Sequence, residues 1–249
     1  MTTPRLLIDA ELLLYRAAAG AEIEAEWAPD EWTFLCRHGD ARAAFQDQVA
    51  SLRELAPYHE PLLVFGDRAS FRYSVWPGYK SNRKDKRKPC GWLPLLEWIK
   101  ESAVTRNWLA PHLPGIEGDD ALGVLARPGE DIIASDDKDM LTIPGLLIRN
   151  GELLEVSQEE ADRAFFAQAL VGDATDGYPG CPTYGPKTAE KWLAGWSAEV
   201  DLWREVRNAY VLKGLPISFA LQQARCARIL RPGEYDMQKL QPILWEGPA

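Results

Sequence analysis

The segment RLLID (Arg5–Asp9) is short, apolar through its centre and ends on an acid. PLLVFGD (Pro61–Asp67) and DIIASDDKD (Asp131–Asp139) repeat that form, an apolar run followed by aspartate. Runs of this length read as buried strands. Between the first two lies DARAAFQDQVASLREL, in which Ala44, Phe45, Val49 and Leu52 recur at helical spacing. Strand, helix and strand, with the strands apolar throughout, predict a mostly parallel α/β sheet flanked by helices. Ligands of such sheets bind beyond the carboxyl ends of the strands. Three strand ends would then deliver aspartates to one edge.

Further along, LLIRNGELLEV places Asn150-Gly151 between apolar arms, the signature of a type I′ hairpin. Ser157 and Glu160 then have the spacing of a capping box, which predicts a helix beginning at QEEADRAFF. From there the pattern is helical almost to the end. The expected organisation is an α/β part over residues 1–156 and a helical part over residues 157–249.

The chain has 249 residues, 46% hydrophobic and 26% charged, which suits a globular protein with a real core. Cys36, Cys90, Cys181 and Cys226 form no Cys-x-x-Cys pair and read as reduced structural thiols. Asp9 and Glu11 interrupt the first apolar run, so it is not a signal segment, and no run approaches a membrane span. A cytoplasmic protein is expected.

Net charge is −9, yet Arg68 to Arg106 holds ten Lys/Arg against three Asp/Glu. Within it, YKSNRKDKRK carries Lys80, Arg83, Lys84, Lys86, Arg87 and Lys88, preceded by Phe71, Tyr73, Trp76 and Tyr79. Basic residues supply contacts to phosphates and rings supply contacts to bases, the combination a single-strand channel requires. Lys80 and Arg83 share one face if the run is helical.

The acids Asp9, Asp67, Glu117, Asp119, Asp120, Asp137, Asp139, Asp173 and Asp176 each have an ordinary reading as a cap or turn. Gathered at one sheet edge they would repel one another unless cations neutralised them. Their hard oxygens suit Mg²⁺ or Mn²⁺, and enough are present for two ions and an in-line phosphoryl displacement. His38, His59 and His112 share no metal-ligand spacing, and there is no Gly-x-Ser-x-Gly elbow.

PGCPTYGPKTAEKWLAGW (Pro179–Trp196) nearly spells a phosphate-binding P-loop, but Pro186 intervenes between Gly185 and Lys187-Thr188. A P-loop also follows a buried strand, whereas this stretch follows a helix. A glycine-containing turn between helices offers backbone N–H groups to a DNA backbone instead. ATP is not the expected ligand.

Taken together, LLID, VFGD…FR…YKSNR, EGDD, SDDKD and GDATDGYPG…GPKTAEKWL resemble the flap endonuclease/5′–3′ exonuclease superfamily. The closest resemblance is to the stand-alone exonucleases of T-odd bacteriophages. It runs from about Arg5 to Trp196, with a weaker echo in FALQQARCARIL.

The resemblance implies a PIN-like α/β nuclease domain with a basic arch over about residues 70–112. It also implies a helix–turn–helix-type element over about residues 160–196. A two-metal site carries over to the nine acids above, with two Mg²⁺ or substituting Mn²⁺. Lys80 and Arg83 would reach the scissile phosphate and Tyr79 the terminal base, with Lys84, Lys86, Arg87 and Lys88 guiding the strand. Gly180, Thr183, Gly185, Lys187 and Thr188 would grip duplex backbone near a K⁺ ion. Thr183 stands where the family usually has glycine, which stiffens that turn. Asp67 lies one residue later than in the cellular Phe-Asp-Gly pattern, as in phage members.

The implied activity is metal-dependent 5′–3′ hydrolysis of DNA, with removal of flaps and of RNA primers from RNA–DNA hybrids. The implied setting is phage replication or recombination in the host cytoplasm. A PIN-like ribonuclease would share the strand-end acids but not the basic segment and duplex grip. A catalytically silent DNA-binding protein would share the grip but not the acids.

Overall fold

The computed structural model of the protein describes residues 3–83, 87–102 and 105–248. Its central sheet has five strands: β1 (Arg5–Asp9), β4 (Glu60–Val64), β5 (Ile132–Ala134), β6 (Gly145–Arg149) and β7 (Glu152–Val156). The order is β4-β1-β5-β6-β7, parallel except for β7, which returns antiparallel against β6. The expected turn joins β6 and β7, with Asn150 and Gly151 both at positive φ as type I′ requires.

The sheet is buried on both faces because β1 alternates. Leu6 and Ile8 pack into one apolar cluster and Leu7 into another. The first face is covered by α1 (Ala10–Gly20), α2 (His38–Leu55) and α4 (Trp92–Glu101). The second is covered by α5 (Gly118–Leu125) and the start of α6 (Gln158–Val171). Truncating a side chain as buried as Leu7 would cost about 2–5 kcal/mol.

Between α1 and α2 the chain inserts a two-stranded hairpin, β2 (Glu22–Ala28) and β3 (Glu31–Cys36). The sequence reading passed straight from strand to helix here. The hairpin lacks a buried face, since Trp27, Trp32 and Leu35 are exposed, so its alternation carries no core signal.

After β7, Ser157 caps α6 reciprocally with Glu160, as its spacing predicts. Helices α7 (Pro186–Leu193), α8 (Glu199–Leu212) and α9 (Ile217–Ala227) follow, then the short pair β8 (Tyr235–Asp236) and β9 (Gln241–Pro242). A third cluster joins α6 to α9 and also takes in Val75 and Tyr79. The foot of the basic segment is therefore part of the core of the helical region.

Candidate active site

Asp9 ends β1 and also caps α1, so one residue stops the strand and starts the helix. Its carboxylate accepts from the Leu12 N–H at 3.1 Å and from the Ser135 hydroxyl at 2.8 Å. Burial raises its pKa, and the charge of Asp137 adds to that effect. Asp119, in the first turn of α5, lies well above its usual value. Burial is the main cause, followed by repulsion from Asp9, Asp137, Glu117 and Asp120. Asp137 caps the 3₁₀ turn Lys138–Thr142 through the Asp139 N–H. Asp139 is pushed up to about 6 by burial and by Asp137. The strand ends and the first turn of α5 thus bring together buried and half-buried acids that repel one another.

A second acidic group is already compensated. Glu117, the N-cap of α5, accepts from the Tyr79 hydroxyl at 2.7 Å and from Arg72 at 3.1 Å, and pairs with Lys80. Burial alone would raise its pKa, but Arg72 and Lys80 hold it below the usual value. Asp176 accepts from Tyr79 at 3.0 Å, pairs with Arg83 and lies 3.7 Å from the Lys80 ammonium. Asp173 accepts the Thr175 and Asp176 N–H groups and lies 3.4 Å from Lys138. These contacts outweigh burial and lower its pKa.

The basic segment reaches these acids because its foot is fastened to the 173–178 loop. The Lys80 N–H donates to the Asp176 carbonyl at 2.7 Å and the Trp76 indole donates to the Gly177 carbonyl at 2.8 Å. Gly177 has φ +75°, and a Cβ there would lie 2.5 Å from the Gly78 carbonyl oxygen. Only glycine fits that approach.

Several expectations are corrected by this geometry. Asp120 is fully buried, and its two oxygens are taken by Arg72, the Glu117 N–H and the Leu230 N–H. It is a structural anchor rather than a free metal ligand. Asp67 turns its carboxylate to the Gly115 N–H at 2.9 Å, and that N–H is the leading cause of its lowered pKa. Tyr79 is 3% exposed, so its ring is closed to a terminal base while its hydroxyl serves two acids. Phe71 and Trp76 are packed against the helical core as well, leaving Tyr73 as the exposed ring of the four.

The run after Tyr79 is not a continuous helix. Lys80 sits at φ +51° and a 3₁₀ turn covers Ser81–Arg83. Lys80 and Arg83 nevertheless meet at Asp176. Arg87 makes bidentate bonds to Glu22 of β2 at 2.6 and 2.8 Å and covers the Phe34 ring. Its guanidinium is committed to the hairpin. Lys88 lies over Trp92. Lys84 and Lys86 lie outside the described residues.

Among the described residues, no three acidic, histidine or cysteine side chains converge as a ready metal-binding group. Of the nine acids, Glu117 is paired with Lys80 and Arg72, Asp176 with Arg83, and Asp120 with Arg72. The available donors do fit hard divalent ions. They are carboxylate oxygens whose raised pKa values come from burial and mutual repulsion, which a bound cation relieves. The Tyr178 hydroxyl supports the same fit: among the described residues it is buried without a hydrogen-bond partner, and Asp139, Asp173 and Asp176 bear on it.

Sequence reasoning also missed residues. Arg72 appeared only as part of the FR motif, and no local pattern announces a buried arginine. Glu11, two positions after Asp9, has its pKa raised by burial, with Asp9 and Glu117 contributing. Its position in the first turn of α1 was the available signal.

In the turn between α6 and α7, Gly172 and Gly180 approach so closely that a Cβ on either would lie 2.4 Å from the other's backbone nitrogen. Thr183 sits at φ +71°, which glycine adopts without strain and a β-branched residue does not. Gly185 caps α7, whose first turn leaves Lys187 and Thr188 exposed.

The family described as "5′-3′ exonuclease, N-terminal resolvase-like domain" matches residues 4–170. The chain belongs to this 5′–3′ exonuclease family. It is 30% identical to the exodeoxyribonuclease of Enterobacteria phage T3, over 96% of this chain and 92% of that protein. Identity and coverage are the same for the exonuclease of Escherichia phage T7. Among solved structures, the bacteriophage T5 D15 protein co-crystallised with metal ions superposes with a TM-score of 0.62 at 13% identity. That match covers 90% of this chain and 88% of D15. At such identity the match shows the fold, a mostly parallel sheet flanked by helices. Among the described residues no helix is long and apolar enough to cross a membrane.

Proposed function

We propose that this protein hydrolyses DNA phosphodiesters from 5′ ends with two divalent ions, Mg²⁺ by preference and Mn²⁺ in substitution. One observation carries the reading. Lys80 bridges Glu117 and Asp176, and Glu117 in turn faces the mutually repelling acids Asp9, Asp119 and Asp137. Bound ions would neutralise charge at the scissile phosphate and make a water molecule more acidic. Lys80 and Arg83 then exchange their carboxylate partners for phosphate oxygens, where negative charge grows in the transition state.

The same reading assigns duplex grip to Gly180, Thr183, Gly185, Lys187 and Thr188, with K⁺ in the turn. It divides the chain into an α/β nuclease part over residues 1–156 and a helical DNA-binding part over residues 157–249. Substrates are 5′ ends, flaps and RNA primers in RNA–DNA hybrids, in phage replication or recombination in the host cytoplasm, without ATP. D15 was crystallised with metal ions and, as a pseudo-enzyme–product complex, with DNA, which supports the same classes of ligand. The test is cleavage of 5′-labelled duplex, flap and RNA–DNA hybrid with Mg²⁺ and with EDTA. Equal loss of label in EDTA overturns the metal dependence, and no cleavage in Mg²⁺ overturns the activity.

A further inference from the structure

Strand β5 ends at Ala134, and Ser135 is the first residue beyond it. The strand runs between β1 and β6, with Ile8 opposite Ala134 on the β1 side. One step further in the same parallel register sets Ser135 beside Asp9. The ladder still holds there, since the Ser135 N–H donates to the Ile148 carbonyl at 3.2 Å. Register partners in a parallel pair send their side chains to the same side of the sheet. Sheet geometry therefore brings the serine of SDDKD against the carboxylate that ends β1.

Ser135 is buried, and its hydroxyl donates to Asp9 Oδ2 at 2.8 Å. The same hydroxyl oxygen accepts the Asp137 N–H at 3.2 Å. A hydroxyl has one proton, so the proton goes to Asp9 while a lone pair holds Asp137. The Leu12 N–H donates to Asp9 Oδ1 at 3.1 Å, which gives each carboxylate oxygen one donor. Two donors on opposite oxygens fix the rotation of the carboxylate and leave a lone pair free on each. Asp137 bears on Asp9 electrostatically, so one hydroxyl ties together two acids that repel each other.

Resting on the two-ion reading above, we infer that Ser135 is a positioning residue for the divalent-ion site, its hydroxyl orienting Asp9 and Asp137 for ion binding. Hydrogen-bond partners of metal-ligating side chains typically contribute about 10–100-fold to metal affinity. A serine that merely packs the end of β5 would act on stability alone.

The experiment titrates Mn²⁺ into DNA-free wild type, Ser135→Ala and Ser135→Thr, reading free ion by its EPR signal, and measures urea midpoints in EDTA. Threonine keeps the hydroxyl, and Ser135 borders a cavity of about 310 Å³ with space for the added methyl. Ser135→Ala should raise the Mn²⁺ Kd by about tenfold or more, and Ser135→Thr should stay within about threefold of the wild type. The Mg²⁺ concentration for half-maximal single-turnover cleavage should move in parallel. An unchanged Kd in Ser135→Ala overturns the proposal, whether or not its urea midpoint falls. So does equal weakening in both variants, since the hydroxyl would not be the cause. A Ser135→Ala protein that fails to fold overturns it too, because the serine then serves the fold. A wild type that binds no Mn²⁺ refutes the two-ion reading itself, an outcome distinct from wild type and variant binding alike.

Discussion

The Arg72 guanidinium meets the Asp120 carboxylate in a buried fork, Nη1 to Oδ2 at 2.6 Å and Nη2 to Oδ1 at 2.8 Å. The remaining Arg72 bonds go to Glu117 and to the carbonyls of Cys226 and Arg228. One side chain thereby links the basic segment, the acid-bearing helix α5 and the end of α9. Removing one member of such a pair leaves a buried charge unpaired, at a cost of about 3–5 kcal/mol. Asp120→Ala and Arg72→Ala should both lower the urea midpoint strongly. A change under 1 kcal/mol in either would refute the anchoring role of this pair.

Asp119 should behave oppositely. Burial and neighbouring carboxylates raise its folded-state pKa, so its ionised form opposes folding at neutral pH. Asp119→Asn should stabilise the metal-free protein by on the order of 1 kcal/mol, a rise of about 2–4 °C in Tm. Cleavage should fall by at least 10²-fold, since a site that concentrates charge gives up stability for function. Thermal melting in EDTA and a single-turnover assay check the two halves separately.

Asp131 supplies a pH-dependent contribution away from the active site. Burial would raise its pKa, but Arg127 and Arg5 outweigh burial and depress it. The main pairs are 2.5 Å to Arg5 and 2.6 Å to Arg127. A depressed folded pKa gives stability that is fully present above the unfolded value of about 3.9 and lost as pH falls below it. Urea midpoints should therefore drop between about pH 4 and pH 2 in the wild type. In Asp131→Asn the protein should be weaker at pH 7 and that acid slope shallower. Parallel slopes would remove Asp131 from the acid transition.

Much of this architecture was legible because burial imposes a period. RLLID and PLLVFGD are apolar on both faces of a covered sheet, and Asn150-Gly151 and Ser157…Glu160 state their turn and cap locally. The β2–β3 hairpin was not legible, since it buries too little to show a pattern. Among site residues, the strand-end acids could be placed from topology alone. Which of them are free could not, because that depends on Arg72 and Tyr79, whose partners lie 38 to 156 residues away. Aromatics before a basic run look the same in sequence whether they face bases or anchor the segment. Only packing shows that Tyr79 anchors it.

Lys80 offers the sharpest test of the catalytic reading. Its ammonium pairs with Glu117 and lies 3.7 Å from Asp176, and its backbone N–H is fastened to the Asp176 carbonyl. The charge is therefore held at the acid row and does not sweep the solvent as a strand guide would. A cation so placed gains strength as the scissile phosphate becomes more negative, so it acts on rate more than on binding. Lys80→Ala should lower the single-turnover rate at saturating enzyme by on the order of 10²-fold. DNA affinity should change by less than about tenfold, because a single phosphate contact is only one of many. Saturating enzyme is essential, since weaker binding otherwise mimics slower chemistry. Lys80→Arg keeps the charge but changes its shape and should recover part of the rate. Should Lys80→Ala lose affinity while keeping its full rate at saturation, Lys80 guides the strand and has no part in the chemistry.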